Sequence, residues 1–351
     1  MTSPCAKSDA LPRREAVLVA LGASAAECQE LLEYNQNHFI GAGAPPPQAL
    51  PLPDEPFVAA WEKYEKEARS IGVLECLKRR LPQFRFPIRE GISRTEAYRA
   101  ATLGGAPPGA SAEPGGLGFE RPDELRLALC SAPAGRIPAL IAASRDDFVT
   151  LVRALTMKNE PGPVPPAMGA TLVGGYNNWD RLHTFQDRWM AEHPDDVDGE
   201  GWGEEFERIR SRRELYQDRF MILSRAPYSG IPAEAMGVAS EEWLTLSLAI
   251  RTGHEAAHYF TRRVCGSMKD RLHDELMADY MGIVAAIGRY RQDWFLRFIG
   301  LENYPAYREG ARLQNYRGDP PLSDGAFRIL QALARDASAN LFFFLTGLAL
   351  L

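Results

Sequence analysis

One stretch dictates much of what this chain can fold into. From Ser240 to Gly266 the sequence reads SEEWLTLSLAIRTGHEAAHYFTRRVCG. Ser240 is a capping residue, Glu241 and Glu242 suit the positive start of a helix, and Arg262 and Arg263 suit its negative end. Gly266 supplies the left-handed residue that stops it. The middle (Trp243, Leu244, Leu246, Leu248, Ile250) is apolar on nearly every side, so the predicted rod runs through a core that the rest of the chain must build round it. Into this rod the sequence sets His254, Glu255 and His258. One helical turn separates the two histidines, so both imidazoles leave from one face. From there two nitrogens reach a single zinc ion at about 2.1 Å each. Glu255, offset round the helix, is placed to act on a water rather than on the ion. Unpartnered imidazoles and a carboxylate are costly in such a setting, and something has to satisfy them.

A catalytic zinc usually takes three protein ligands and keeps one position for water. After Gly266 a second helix is expected to run to about Gly288. It carries Glu275 and Asp279 one turn apart and facing the same way. His273 and Asp274 are adjacent and either could ligate in place of Glu275, because helix phase is not fixed to one residue by sequence. An H-E-x-x-H followed on the next helix by E-x-x-x-D resembles the gluzincin clan of zinc metallopeptidases, over about 26 residues from 254 to 279. The resemblance implies a zincin-like C-terminal half with one zinc ion. His254, His258 and Glu275 would be its ligands, Glu255 the general base, and Asp279 the carboxylate that orients a ligand histidine.

The chemistry implied is hydrolysis of a peptide or related amide bond by metal-activated water. An oxyanion donor is needed too. The segment NYPAYREGARLQNYRG offers Tyr304, Tyr307, Arg312 and Tyr316. A strand expected near 220–224 is a candidate edge for an extended peptide. Two other readings use the same letters. Glu255-x-x-His258 with Asp270-x-x-His273 echoes the E-x-x-H pairs of di-iron bundles. A non-catalytic zinc clamp in a binding or regulatory protein would need a fourth protein ligand, for which only Cys265 is near.

Elsewhere the chain reads as mixed α and β, giving an α+β protein that is predominantly helical. FRFPI, LRLALC and IPALIAA are expected strands, and Ser144 is expected to cap a helix. GAGAPPPQALPLPD (41–54) reads as a linker or strap, and the segment 104–118 as a loop. NEPGPVPPAMG (159–169) is the expected boundary between a mixed α/β region of unknown role (1–160) and the metal-binding domain (165–351). The acidic loop 193–205, with Asp195, Asp196 and Asp198, lacks the spacing of a calcium loop.

A net charge of -6 gives no basic field for a nucleic-acid backbone, and the peptidase resemblance implies a peptide or protein as partner. The five cysteines are scattered, with no Cys-x-x-Cys pair, which fits a reducing cytoplasm. RREAVLVALGASAAEC imitates an export signal. Glu15 breaks its apolar run, however, and Ser24-Ala-Ala-Glu27 reads as a capping box that opens a folded helix. NLFFFLTGLALL is too short to span a bilayer. Nothing in the sequence sets an oligomeric state.

Overall fold

Helix caps and glycine stops divide this chain where the sequence places them. The Ser24 hydroxyl accepts from the Glu27 amide while the Glu27 carboxylate accepts from the Ser24 amide, the expected capping box. Ser144 likewise accepts from the Asp147 amide. The computed structural model describes residues 10–35, 49–106, 116–196, 199–266 and 271–348. Most of the 41–54 strap, the centre of the 104–118 loop, Asp198, Asp270, Cys5 and His38 lie outside the described residues.

In chain order the helices α1 (Ala10–Ala20) and α2 (Ala25–Tyr34) precede α3 (Val58–Ile71), α4 (Val73–Arg80) and α5 (Glu96–Thr102). Strands β1 (Arg126–Cys130) and β2 (Ile137–Ala142) lead into α6 (Arg145–Thr156), β3 (Ala170–Asn177) and α7 (Trp179–Glu192). Then come α8 (Glu200–Ser211), β4 (Gln217–Ser224) and the short α9 (Ala233–Met236). The last four are α10 (Ser240–Cys265), α11 (Arg271–Ile287), α12 (Gln292–Ile299) and α13 (Asp324–Leu348). The fold is α+β and predominantly helical. Among the described residues no helix is long and apolar enough to cross a membrane.

The chain forms two units, one of Met1–Pro46 with Pro227–Leu351, the other of Pro47–Ala226. The boundary expected at 159–169 instead falls inside the second unit, between α6 and β3. Sheet pairing bridges it, because β2 runs parallel to β4 and β4 antiparallel to β3. Residues 1–160 and 165–351 are therefore not separate bodies. In the sheet order β1-β2-β4-β3, strand β4 lies between two neighbours. Its ladder is filled on both sides, so the expectation of a peptide-binding edge at 220–224 does not hold. FRFPI makes no strand either: Pro82–Arg85 is a 3-10 turn, and Pro82 and Pro87 have no amide to give to a ladder. In the acidic loop the Asp196 carboxylate accepts from the Gly201 and Trp202 amides, so it serves the start of α8.

The other unit is helical and holds the histidine helix. α10 starts at Ser240 with Ala239 as its cap residue, one position earlier than expected, and ends at Gly266 with φ 71°. α11 returns antiparallel beside it, since Ile250 and Gly253 pack on Gly282 while His258 meets Asp274. Two glycines let the rods approach closely. A Cβ at Gly253 would lie 2.9 Å from the Gly282 Cα, and one at Gly282 would lie 2.6 Å from the Ile250 carbonyl oxygen. Trp243 of α10 meets Trp294 edge-on and stacks on Phe298, both from α12, in the buried core.

Candidate metal centre

The antiparallel pair brings three side chains together. The Nε2 atoms of His254 and His258 are 3.0 Å apart. The Glu275 carboxylate places one oxygen 3.4 Å from the first and the other 3.6 Å from the second. Ligands about 2.1 Å from one tetrahedral ion stand about 3.4 Å from each other. The three side chains thus stand close to the spacing that ligands of one tetrahedral ion take. Among the described residues these three form the one such cluster.

The remaining histidine nitrogens fix the chemistry of the triangle. His254 Nδ1 lies 2.9 Å from an Asp279 oxygen, and His258 Nδ1 lies 2.7 Å from Asp274 Oδ2. Each carboxylate accepts a hydrogen bond from the Nδ1–H of its ring, which leaves the Nε2 lone pair facing inward. Two inward lone pairs 3.0 Å apart, beside a carboxylate, repel unless a cation sits among them. Without a metal a proton does that work. Burial resists charge on His258, but Asp274, Glu255 and Glu275 outweigh it and hold the ring's pKa up to about 9.

Asp279 anchors a second ring of partners. It is fully buried, and its Oδ1 accepts from the Tyr228 hydroxyl at 2.7 Å. The Arg312 guanidinium donates to its Oδ2 and, at 2.8 Å, to the Tyr228 oxygen. Burial by itself would raise the Asp279 pKa; Arg312, His254 and Tyr228 hold it at about 2. Tyr228 arrives on a tight turn in which Ser229 takes the left-handed conformation at φ 51°, followed by Gly230 at φ 67°. The Ser247 hydroxyl of α10 accepts from the Tyr228 amide at 2.9 Å and fixes the turn to the helix. Glu255 is buried, and burial raises its pKa while His258 and His254 pull it down. It therefore lies within electrostatic reach of both rings.

The model of a family of unknown function, DUF7005, matches residues 16–349. The chain belongs to DUF7005. No curated protein and no solved structure matches it.

In this DUF7005 chain the structure sorts the sequence candidates. Glu275 takes the place facing both Nε2 atoms; Asp274 lies behind His258, and His273 is exposed on another face of α11. Of the four oxyanion candidates two reach the centre. Tyr316 donates to Glu275 Oε2 at 2.8 Å, and Arg312 is engaged by Asp279 and Tyr228. Tyr304 and Tyr307 do not. Tyr304 stacks under Arg335, while the Tyr307 hydroxyl donates to the Ala311 carbonyl and accepts from the Gln314 amide. Tyr307 thus holds its own loop, and Tyr304 packs against α13. Sequence reasoning missed Tyr228, and it weighed Asp274 as an alternative ligand rather than as the partner of His258 Nδ1. The need for one acceptor per ligand histidine was the available signal for Asp274, since Asp279 could serve only one ring.

Proposed function

We propose that this DUF7005 chain is a zinc-dependent hydrolase that cleaves a peptide or related amide bond. The observation that carries the reading is the triangle of His254 Nε2, His258 Nε2 and Glu275, with both Nδ1 atoms already committed to carboxylates. Two imidazoles and one carboxylate with a spare corner are the donor set of catalytic zinc sites. A zinc ion held there would acidify a water and polarise a carbonyl. Glu255, whose carboxylate burial makes a stronger base, is suited to take a proton from the attacking water and pass it to the leaving nitrogen. Tyr316 stands beside Glu275, whose side chain is 22% exposed, so substrate would approach from that side. Its hydroxyl is a donor able to turn from Glu275 to a developing oxyanion.

The competing readings lose support. A di-iron centre needs the second E-x-x-H element, yet His273 is exposed and apart from the cluster. A structural clamp needs a fourth protein ligand, and Cys265 is not in the cluster. The test is metal analysis of the purified protein with Glu255→Gln alongside, using a mixed peptide library as substrate. Equimolar zinc in both with cleavage by the parent alone supports the reading, and a parent that takes up no zinc refutes it.

A further inference from the structure

On a different face of α11 from Glu275, the helical unit contains a cavity of about 560 Å³ that the proposed hydrolysis does not use. Its walls come from α1, α2, α11, α12 and α13, with Leu18, Leu31, Leu276, Phe295 and Leu330 among them. Eleven of its fourteen lining residues are apolar, and the three others are Arg14, Asn35 and His273. It reaches the surface beside Val17, which is 51% exposed.

This composition decides what can fill it. A trapped water needs two to four polar partners, and most of the wall offers none. Peptides and sugars would bury their own polar groups unpaired. Phe295 is the single benzene ring in the lining, joined only by the His273 imidazole, so little selects a flat ring system by stacking. The volume lies within the usual range for small-molecule sites. Arg14 is the single permanently charged side chain in the wall, and it is partly buried. One of its terminal nitrogens donates to the Asn35 carbonyl. A guanidinium has five N–H donors in a fork that fits a carboxylate.

We infer that this cavity binds a single-chain fatty acid, with its alkyl chain among the leucines and its carboxylate at Arg14. The inference is independent of the metal centre. Exposed Val17 marks the opening, where an aliphatic chain would enter.

The test is displacement of a fluorescent polyene fatty acid from the full-length protein, with hexadecanoate and hexadecanol as competitors and bound zinc measured on each sample. Hexadecanoate should displace the probe at one per chain. Arg14→Gln should weaken the acid about tenfold and leave the alcohol unchanged. Ala334→Phe, which fills the buried wall, should abolish displacement by both. Ala337→Phe, at a half-buried lining position, repeats the test if the first variant melts early. The inference is overturned if neither competitor displaces the probe, or if the filled variants bind as the parent does. It is equally overturned if the cavity takes ligand only after residues 36–48 are deleted, or only in a dimer that sedimentation detects. Zinc content is read separately, so loss of the metal reading leaves this result standing, and the reverse.

Discussion

Gly253 and Gly282 meet backbone to backbone, and the residue after Gly253 is His254. The distance between the two rods is set there, and it decides whether an acid on α11 can reach rings on α10. Gly282→Ala would press a methyl group against the Ile250 carbonyl oxygen, which cannot move without bending α10. Overpacking of this kind costs about 1–3 kcal/mol. Thermal melting should show that loss, and zinc titration should show a weaker site. Unchanged zinc affinity in a destabilised Gly282→Ala protein would mean that the separation of the helices does not govern the site.

Asp274 and Asp279 play parallel parts, each behind one histidine. Replacement of such a partner typically lowers metal affinity by about 10- to 100-fold. Asp274→Asn is expected to fall in that range in competition with a chelator. It should leave the fold intact, because the amide oxygen can still accept from His258. Wild-type affinity in Asp274→Asn would remove Asp274 from the site's working parts.

Glu255→Gln keeps size and hydrogen bonding and removes the base. Zinc content should stay at the parent level while hydrolysis falls by about 10²–10⁴-fold. If turnover survives, the proton is handled by another group.

The metal-free protein should feel pH at both ends. His258 is held up at about 9, against about 6.5 in an unfolded chain. Its contribution is complete below pH 6.5 and disappears as pH rises through 9, a loss of about 3 kcal/mol. Asp279 is held at about 2, so its contribution is complete above about pH 4 and disappears as pH falls through 2. Zinc requires a neutral ring, so saturating zinc should abolish the alkaline decline. Urea denaturation at pH 6, 7.5 and 9, with and without zinc, reads this directly, and a flat metal-free profile over that range would contradict it.

Arg312 is the counter-charge of a carboxylate that has no solvent contact. Arg312→Ala should destabilise the unit by about 3–5 kcal/mol, as breaking a buried ion pair does. Arg312→Lys should recover only part, since one ammonium cannot span both Asp279 and Tyr228.

The centre was legible in the sequence to the extent that it is built on one periodicity. Histidines four apart and an acid four before Asp279 fall on helix faces whatever the rest of the fold does. Arg312 and Tyr316 were suggested by composition, but their partners depend on where a 3-10 turn lands, which no spacing reveals. Tyr228 depends on a left-handed serine and was invisible for the same reason. The domain boundary failed because prolines mark a loop without saying whether a sheet closes across it, and β2 and β4 pair over more than seventy intervening residues. Residue types located the chemistry, whereas long-range pairing had to be seen.

The Tyr34 hydroxyl donates to the carbonyl oxygen of Tyr316 at 2.6 Å, across 282 positions of chain. At about 5–20 residues per second, a ribosome needs on the order of 14–56 s to deliver the second partner after the first. Throughout that interval α1 and α2 have emerged with their apolar faces uncovered, while the whole of Pro47–Ala226 is made and free to fold. During synthesis the first two helices therefore wait, unpaired with their native neighbours, until the last ones arrive.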